Sequence, residues 1–291
     1  MRVDALQRAI DAVPGVAVLD RTSDSDHNRC VITFAGSPEA VLEAAVRAVR
    51  TAAELIDLNT HRGVHPRVGA LDVLPFVPLG QTSMEECVRI AHRAGERIWH
   101  ELGIPVYFYE AVAMRPDRIK LEDVRRGQFE GLREAALVDQ TKAPDLGGPG
   151  LHPTAGAVLV GARKVLIAFN INLKTNDLQL ARSIARRIRA SNGGFPNVKA
   201  LGLPLASRNR VQISMNFTDY HQTSVYVVYE EVMRLAAAQG VEVEGTELVG
   251  LIPRAAVEAG FAEHSKPLKS DPDKILESRV EKLLHVSGVL A

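Results

Sequence analysis

Strands and helices alternate along both halves of the chain, and this alternation predicts α/β or α+β layers, with helices covering one face of each sheet. Two other observations support that class. Apolar residues recur at helical spacing in several segments, and between them lie short apolar runs bounded by glycine, proline or polar residues. A length of 291 residues allows one large domain or two ordinary ones with a substantial core.

The elements follow in order. Val3, Leu6, Ile10 and Val13 share one helical face, and Pro14–Gly15 ends that helix. "VAVL" reads as a short strand, residues Asp20–Asn28 ("DRTSDSDHN") as a polar loop, and "CVITF" as the second strand. Ser37 at the cap and Pro38 at the first position start a helix that alanines carry to about Ile56. A strand at "ALDVLPF" precedes a helix from the Ser83/Glu86 capping box to about Leu102. "IPVYFYE" is a strand, and Ile119–Leu132 a charged helix. Ala143–Gly156 ("APDLGGPGLHPTAG") is dense in glycine and proline, which makes it a linker or a binding loop. Ala157–Leu173 is one long strand-forming run. A helix over "DLQLARSIARRIRAS", strands at "VKALGLPL" and "VQISMNF", a helix over Thr223–Ala238, a strand at "TELVGLIP" and a helix over Pro272–Val286 complete the chain.

Composition excludes several functions. The 35 basic residues balance the 35 acidic ones, so nothing draws the chain as a whole to nucleic acid or to anionic membrane. No apolar run approaches the roughly 20 residues of a membrane span, and "MRVDALQRAI" lacks the apolar stretch of a signal peptide. A cytoplasmic protein is expected. Cys30 and Cys87 are too few for a disulfide framework and fall in apolar patterns, as buried thiols do.

The densest chemistry lies in "HRGVHPRVGALDV", His61–Val73. Two histidines four apart would share one face of a helix, but Gly63 lies between them and Pro66 disfavours helical backbone at His65. Both histidines are therefore expected on a loop. His65 is a candidate general base, since imidazole alone changes charge near neutral pH, and the neighbouring Arg62 and Arg67 favour its neutral form. Arg67 could grip a carboxylate with two parallel bonds. The alternatives are a loop-orienting histidine, on an equal footing, and, less favoured, a metal shell of His27, His61, His65 and Asp72. Asn170 and Asn172 alternate with apolar residues on one strand face, and Gln212, Ser214 and Asn216 do the same on another, as in a ligand-lined cleft or a partly solvated sheet face. No phosphate-binding glycine loop or nucleophile elbow is present.

"DHNRCVITFAG", "HRGVHPRVGALDVLPFVP", "IPVYFYE", "GARKVLIAFNINL", "VQISMNFTD" and "ELVGLIP", in this order, resemble the glutamate formimidoyltransferase family, which is also the N-terminal part of formimidoyltransferase-cyclodeaminase. The resemblance covers essentially all of the chain. It implies an α+β fold of two α/β subdomains, a duplicated ferredoxin-like arrangement divided near 1–160 and 161–291, with adjacent mixed sheets, a cleft between them and a homodimer. It implies transfer of a formimino group from N-formimino-L-glutamate to N5 of tetrahydrofolate, the co-substrate, with small molecules as the only partners and no metal. His65 matches the family's catalytic histidine. Gly147, Gly148, Pro149, Gly150, Leu151, His152, Pro153, Thr154, Ala155 and Gly156 match its folate-binding loop. Arg67, Arg29 and Arg163 are expected to hold substrate carboxylates, and Asn170 and Asn172 to bond a polar substrate. In two places the chain departs from the family. Val64 stands where a glutamate is common beside the histidine, and the sequence starts at the helix that follows the family's first strand. The second departure leads to an expectation of weak folate binding and slow turnover unless about a dozen upstream residues are restored. The rival expectations are a folate-binding homologue without turnover, a related formyl transfer, and a metal-dependent hydrolase.

Overall fold

The computed structural model describes residues 2–261 and 271–287. Contacts divide them into two compact units. The first comprises residues 2–18 and 34–164; the second comprises residues 19–33, 165–261 and 271–287. The architecture is α+β.

In the first unit, helix α1 (Arg2–Asp11) buries Leu6 and Ile10, and α2 (Pro38–Leu55) buries Leu42, Ala45, Val46, Val49 and Ala52 at helical spacing. Ser37 takes the cap position of α2 but makes no side-chain bond there. Helix α3 (Met84–Leu102) follows its capping pattern: the Ser83 hydroxyl accepts from the Glu86 amide at 3.1 Å, and Gly103 closes it in left-handed conformation. Strands β3 (Val73–Phe76), β4 (Val106–Glu110) and β5 (Val158–Ala162) form a parallel sheet with β5 in the middle.

This sheet is covered on both faces, not one. Val106, Phe108, Val158 and Val160 pack with α2 and α3. Tyr107, Tyr109 and Leu159 pack on the other side with Val124 of α4 (Leu121–Val124) and Leu132 of α5 (Gln128–Val138). A parallel strand buried on both faces reads as an unbroken apolar run, which accounts for "VYFY". The charged helix expected over Ile119–Leu132 is broken into α4 and α5 because Gly127 adopts φ +90° between them.

The run Ala157–Leu173 is two strands rather than one. β5 ends at Ala162, and β6 (Ile167–Leu173) belongs to the second unit's sheet. Both pieces are apolar because each is the interior of a different sheet. The second unit then follows the order β6, α6 (Leu178–Ile188), β7 (Val198–Leu205), β8 (Arg210–Phe217), α7 (Val225–Ala237), β9 (Val243–Val249). Its antiparallel sheet has the spatial order β7-β8-β6-β9, the ferredoxin-like arrangement. Asp177 and Ser224 cap α6 and α7. Ile167, Phe169, Ile171 and Leu173 point into the core beneath these helices, so the intervening Asn170 and Asn172 must face the other way. Helices α8 (Arg254–Phe261) and α9 (Leu276–Ser287) complete the described chain.

Strands β1 (Val16–Asp24) and β2 (Arg29–Gly36) form a two-stranded hairpin. Most of the loop expected over Asp20–Asn28 is therefore strand, with the turn confined to 25–28, because polar residues suit an exposed hairpin. Cys87 is buried and Cys30 half-buried. No described helix is long and apolar enough to cross a membrane.

Candidate active site

The histidine stretch is a loop between α2 and β3, as Gly63 and Pro66 require. Its start is anchored to the loop 147–156: the Leu58 backbone amide donates to Thr154 O at 2.8 Å and the Asn59 side-chain Nδ2 to Pro153 O at 3.0 Å. Its end is anchored by Asp72, whose Oδ1 accepts from the Val68 and Gly69 amides at 2.7 and 3.2 Å while Oδ2 receives Arg125.

His65 is half-buried, and its Nδ1 lies 2.9 Å from Pro66 O. A carbonyl only accepts, so this contact assigns the imidazole proton to Nδ1 and the basic lone pair to Nε2. Arg67 does not present an open fork. Both its terminal nitrogens bond Glu130 of α5, at 3.0 and 2.7 Å, and Nη2 also reaches His61 O at 3.4 Å. The guanidinium holds the Glu130 carboxyl down to about 2. Arg67 thus ties the histidine loop to α5, reinforced by the Phe129 amide on Arg67 O at 2.9 Å.

The glycine-rich loop lies against this stretch. Gly156 pairs with both Gly69 and His152, the Ala157 amide donates to Val68 O at 3.2 Å, and the Ala70 amide to Ala155 O at 2.9 Å. This approach requires bare backbone. A Cβ on Gly156 (φ +71°) would stand 1.9 Å from Val68 O, and one on Gly69 2.1 Å from Ala157 O. Gly147 (φ +79°) rests on the Trp99 ring. Gly148 and Gly150 have room. Within the loop, His152 Nδ1 accepts from the Ala155 amide at 3.0 Å and the Thr154 amide at 3.4 Å, and burial pushes the imidazole below its usual range.

Arg118 fixes the approach to this loop. Its side chain is 4% exposed, and it bonds Thr141 O, Ala143 O and Asp145 while lying over the Tyr107 ring. Arg163 follows β5; its amide donates to Phe76 O, and its guanidinium donates to Lys164 O at 3.0 Å.

In the second unit, Arg29 and Asn170 line one small cavity with Thr22, Asp24, Val31, Glu247 and Val249. Asn170 donates to Glu247 at 3.2 Å. Asn172 accepts from Gln212 at 2.9 Å, and the buried Gln212 Oε1 has no hydrogen-bond partner among the described residues. The metal shell is not assembled. Asp72 is committed to amides and Arg125, His27 pairs with Asp24, and no group of three His, Cys, Asp or Glu among the described residues could hold an ion.

Asp72, Arg118, Arg125 and Glu130 were not legible as partners of these loops. Glu130 is 63 residues from Arg67, and no local spacing signals such a pair.

The sequence matches known proteins over both units. Residues 1–163 match the formiminotransferase domain, N-terminal subdomain, and residues 168–282 the formiminotransferase domain. Glutamate formimidoyltransferase of Thermoplasma acidophilum is 45% identical over 284 residues, 97% of this chain and 93% of the relative. The enzyme of that name from Streptococcus pyogenes serotype M1 is 45% identical over 88% of this chain and 85% of its own length. Formimidoyltransferase-cyclodeaminase of Gallus gallus is 44% identical over 88% of this chain, which spans 48% of that relative. These matches place the chain among the transferases. It belongs to the formiminotransferase family.

Proposed function

We propose that the chain transfers the formimino group of N-formimino-L-glutamate to N5 of tetrahydrofolate, with His65 as base and then acid. The observation that carries this reading is the His65 Nδ1 contact with Pro66 O, which leaves Nε2 basic on a loop paired with the glycine-rich loop. The N5 lone pair attacks the formimino carbon and forms the new C–N bond. Nε2 takes the N5 proton, then delivers it to the glutamate nitrogen as the old C–N bond breaks. The loop 147–156 holds the folate, with Gly148 and Gly150 allowing close approach of a flat ring. Arg163, Arg29, Asn170 and Asn172 are the remaining substrate contacts, whereas Arg67 acts by fixing the loop. The chemistry needs no metal, so dialysis against chelator should leave turnover intact.

The test is a turnover assay of purified protein with formiminoglutamate and tetrahydrofolate; absence of transfer to N5 overturns the assignment. A second reading, folate binding without turnover, draws on Val64, an exposed apolar residue beside His65. Ligand binding with no product formation selects it.

A further inference from the structure

Glu130 has no role in the transfer described above, yet it grips the histidine loop one residue beyond the atom that orients His65. That atom is Pro66 O, 2.9 Å from His65 Nδ1, and it shares one rigid peptide plane with the Arg67 amide nitrogen. Arg67 is held at both ends by the first turn of α5. Its carbonyl accepts from the Phe129 amide at 2.9 Å, and its two terminal nitrogens meet the two Glu130 oxygens at 3.0 and 2.7 Å. The carbonyl serves the helix in return, because Gly127 at the cap position offers no side-chain acceptor to the first amides. Gly127 and Gln128 both lie in left-handed backbone, at φ +90° and +56°. Such backbone is costly for glutamine and persists where the surroundings fix it; here it opens the helix turn that meets Arg67. One turn further on, Arg133 donates to Asn59 Oδ1 at 3.0 Å, so α5 also holds the start of the loop.

We propose that Glu130 is a positioning residue for the transfer: through Arg67 it fixes the Pro66–Arg67 peptide, and with it the tautomer and direction of the His65 ring. This deepens the histidine reading above and rests on it. The contacts run from the Glu130 carboxylate to the Arg67 guanidinium, then from Pro66 O to Nδ1, and they leave Nε2 aimed as the base. Glu130 itself exchanges no proton. Arg67 holds its carboxyl down to about 2, so the grip is ionised wherever His65 is neutral.

The grip can be loosened without unfolding the chain. The Glu130 side chain is 56% exposed, and an exposed ion pair contributes little to stability. Glu130→Gln keeps the length of the side chain and removes its charge. Turnover at saturating formiminoglutamate and tetrahydrofolate should fall about tenfold, the scale of a misaimed catalytic group. KM for both substrates should hold within about twofold, and melting within about 2 °C. Nitrogen NMR of the His65 ring at mildly alkaline pH should find the proton on Nδ1 in the parent and an average of both tautomers in Glu130→Gln. Arg67→Met should lower turnover at least as much, and the double variant should lose no more than Arg67→Met alone, because both break one chain of contacts. Unchanged turnover in Glu130→Gln, a loss confined to KM, a loss matched by early melting, or losses that multiply in the double variant overturn the proposal. If the parent forms no product, the transfer reading falls, and the ring tautomer alone decides the positioning: a tautomer indifferent to Glu130 overturns it too.

Discussion

Replacing Gly156 by alanine is the sharpest perturbation the structure offers. An alanine at φ +71° carries a left-handed penalty of about 1–2 kcal/mol. Its Cβ would also stand 1.9 Å from Val68 O and 2.8 Å from Leu58 Cδ1, so the two loop backbones must separate. Separation strains or breaks the Ala157–Val68 and Ala70–Ala155 bonds, each worth about 1 kcal/mol. The total is roughly 3–5 kcal/mol, a fall in melting temperature of about 10 °C for units of this size. Gly150→Ala is the control. Its Cβ meets only Leu137 Cδ2 at 3.5 Å, an ordinary contact, and stability should hold within about 0.5 kcal/mol. Differential scanning calorimetry of both proteins, with turnover measured on the same samples, reads the outcome. Gly156→Ala should melt early and lose activity through displacement of the histidine loop. A Gly156→Ala protein that melts like Gly150→Ala and turns over like the parent would refute the claim that bare backbone at this crossing holds the loops together.

His65→Ala should lower turnover by about a hundredfold or more with tetrahydrofolate affinity little changed; undiminished turnover in a folded variant removes His65 from the mechanism. Gly150→Val should weaken tetrahydrofolate binding at nearly constant melting temperature, and full-strength binding would count against the loop as the folate site. Arg118→Met leaves the Asp145 carboxylate, 6% exposed, without its cation and should cost about 3–5 kcal/mol in a denaturant titration; a loss under about 1 kcal/mol would show that other groups satisfy Asp145. His152 has its folded pKa lowered by burial, so the unfolded chain takes up a proton that the folded one resists. This contribution to stability is fully present above the ordinary histidine pKa near 6.5 and is lost as pH falls below it. The melting temperature should decline through that window in the parent more steeply than in a His152→Asn variant, and parallel pH profiles would contradict the linkage.

Local chemistry made some features of this molecule legible. Pro66 ruled out helix at His65, Ser83 and Glu86 marked the start of α3, and the alternation in "AFNINL" put Asn170 and Asn172 on the face opposite the core. What failed was tertiary. The run from Ala157 to Leu173 crosses from a parallel sheet to an antiparallel one, and both interiors demand the same apolar residues. The charged helix read over Ile119–Leu132 is split into α4 and α5 by the positive φ of Gly127. Arg67 was read as a substrate clamp because its partner, Glu130, lies on an element that local spacing cannot bring to it.

The central place of β5 in the first unit's sheet bears on how the molecule is made. β3 and β4 pair only with β5, never with each other, yet β5 is the last of the three to leave the ribosome. Until residues 158–162 emerge, the two outer strands have no partner in the sheet, and their apolar faces have only the helices on either side, α2 and α3 on one and α4 and α5 on the other. Assembly of this sheet therefore closes in a single late step, pairing Val73 with Leu159, 86 residues on, the kind of distant pairing that slows folding. Pulse-labelled hydrogen exchange during refolding should show amides of β3, β4 and β5 gaining protection together. Early protection of β3 or β4 would mean that something other than the middle strand organises the sheet.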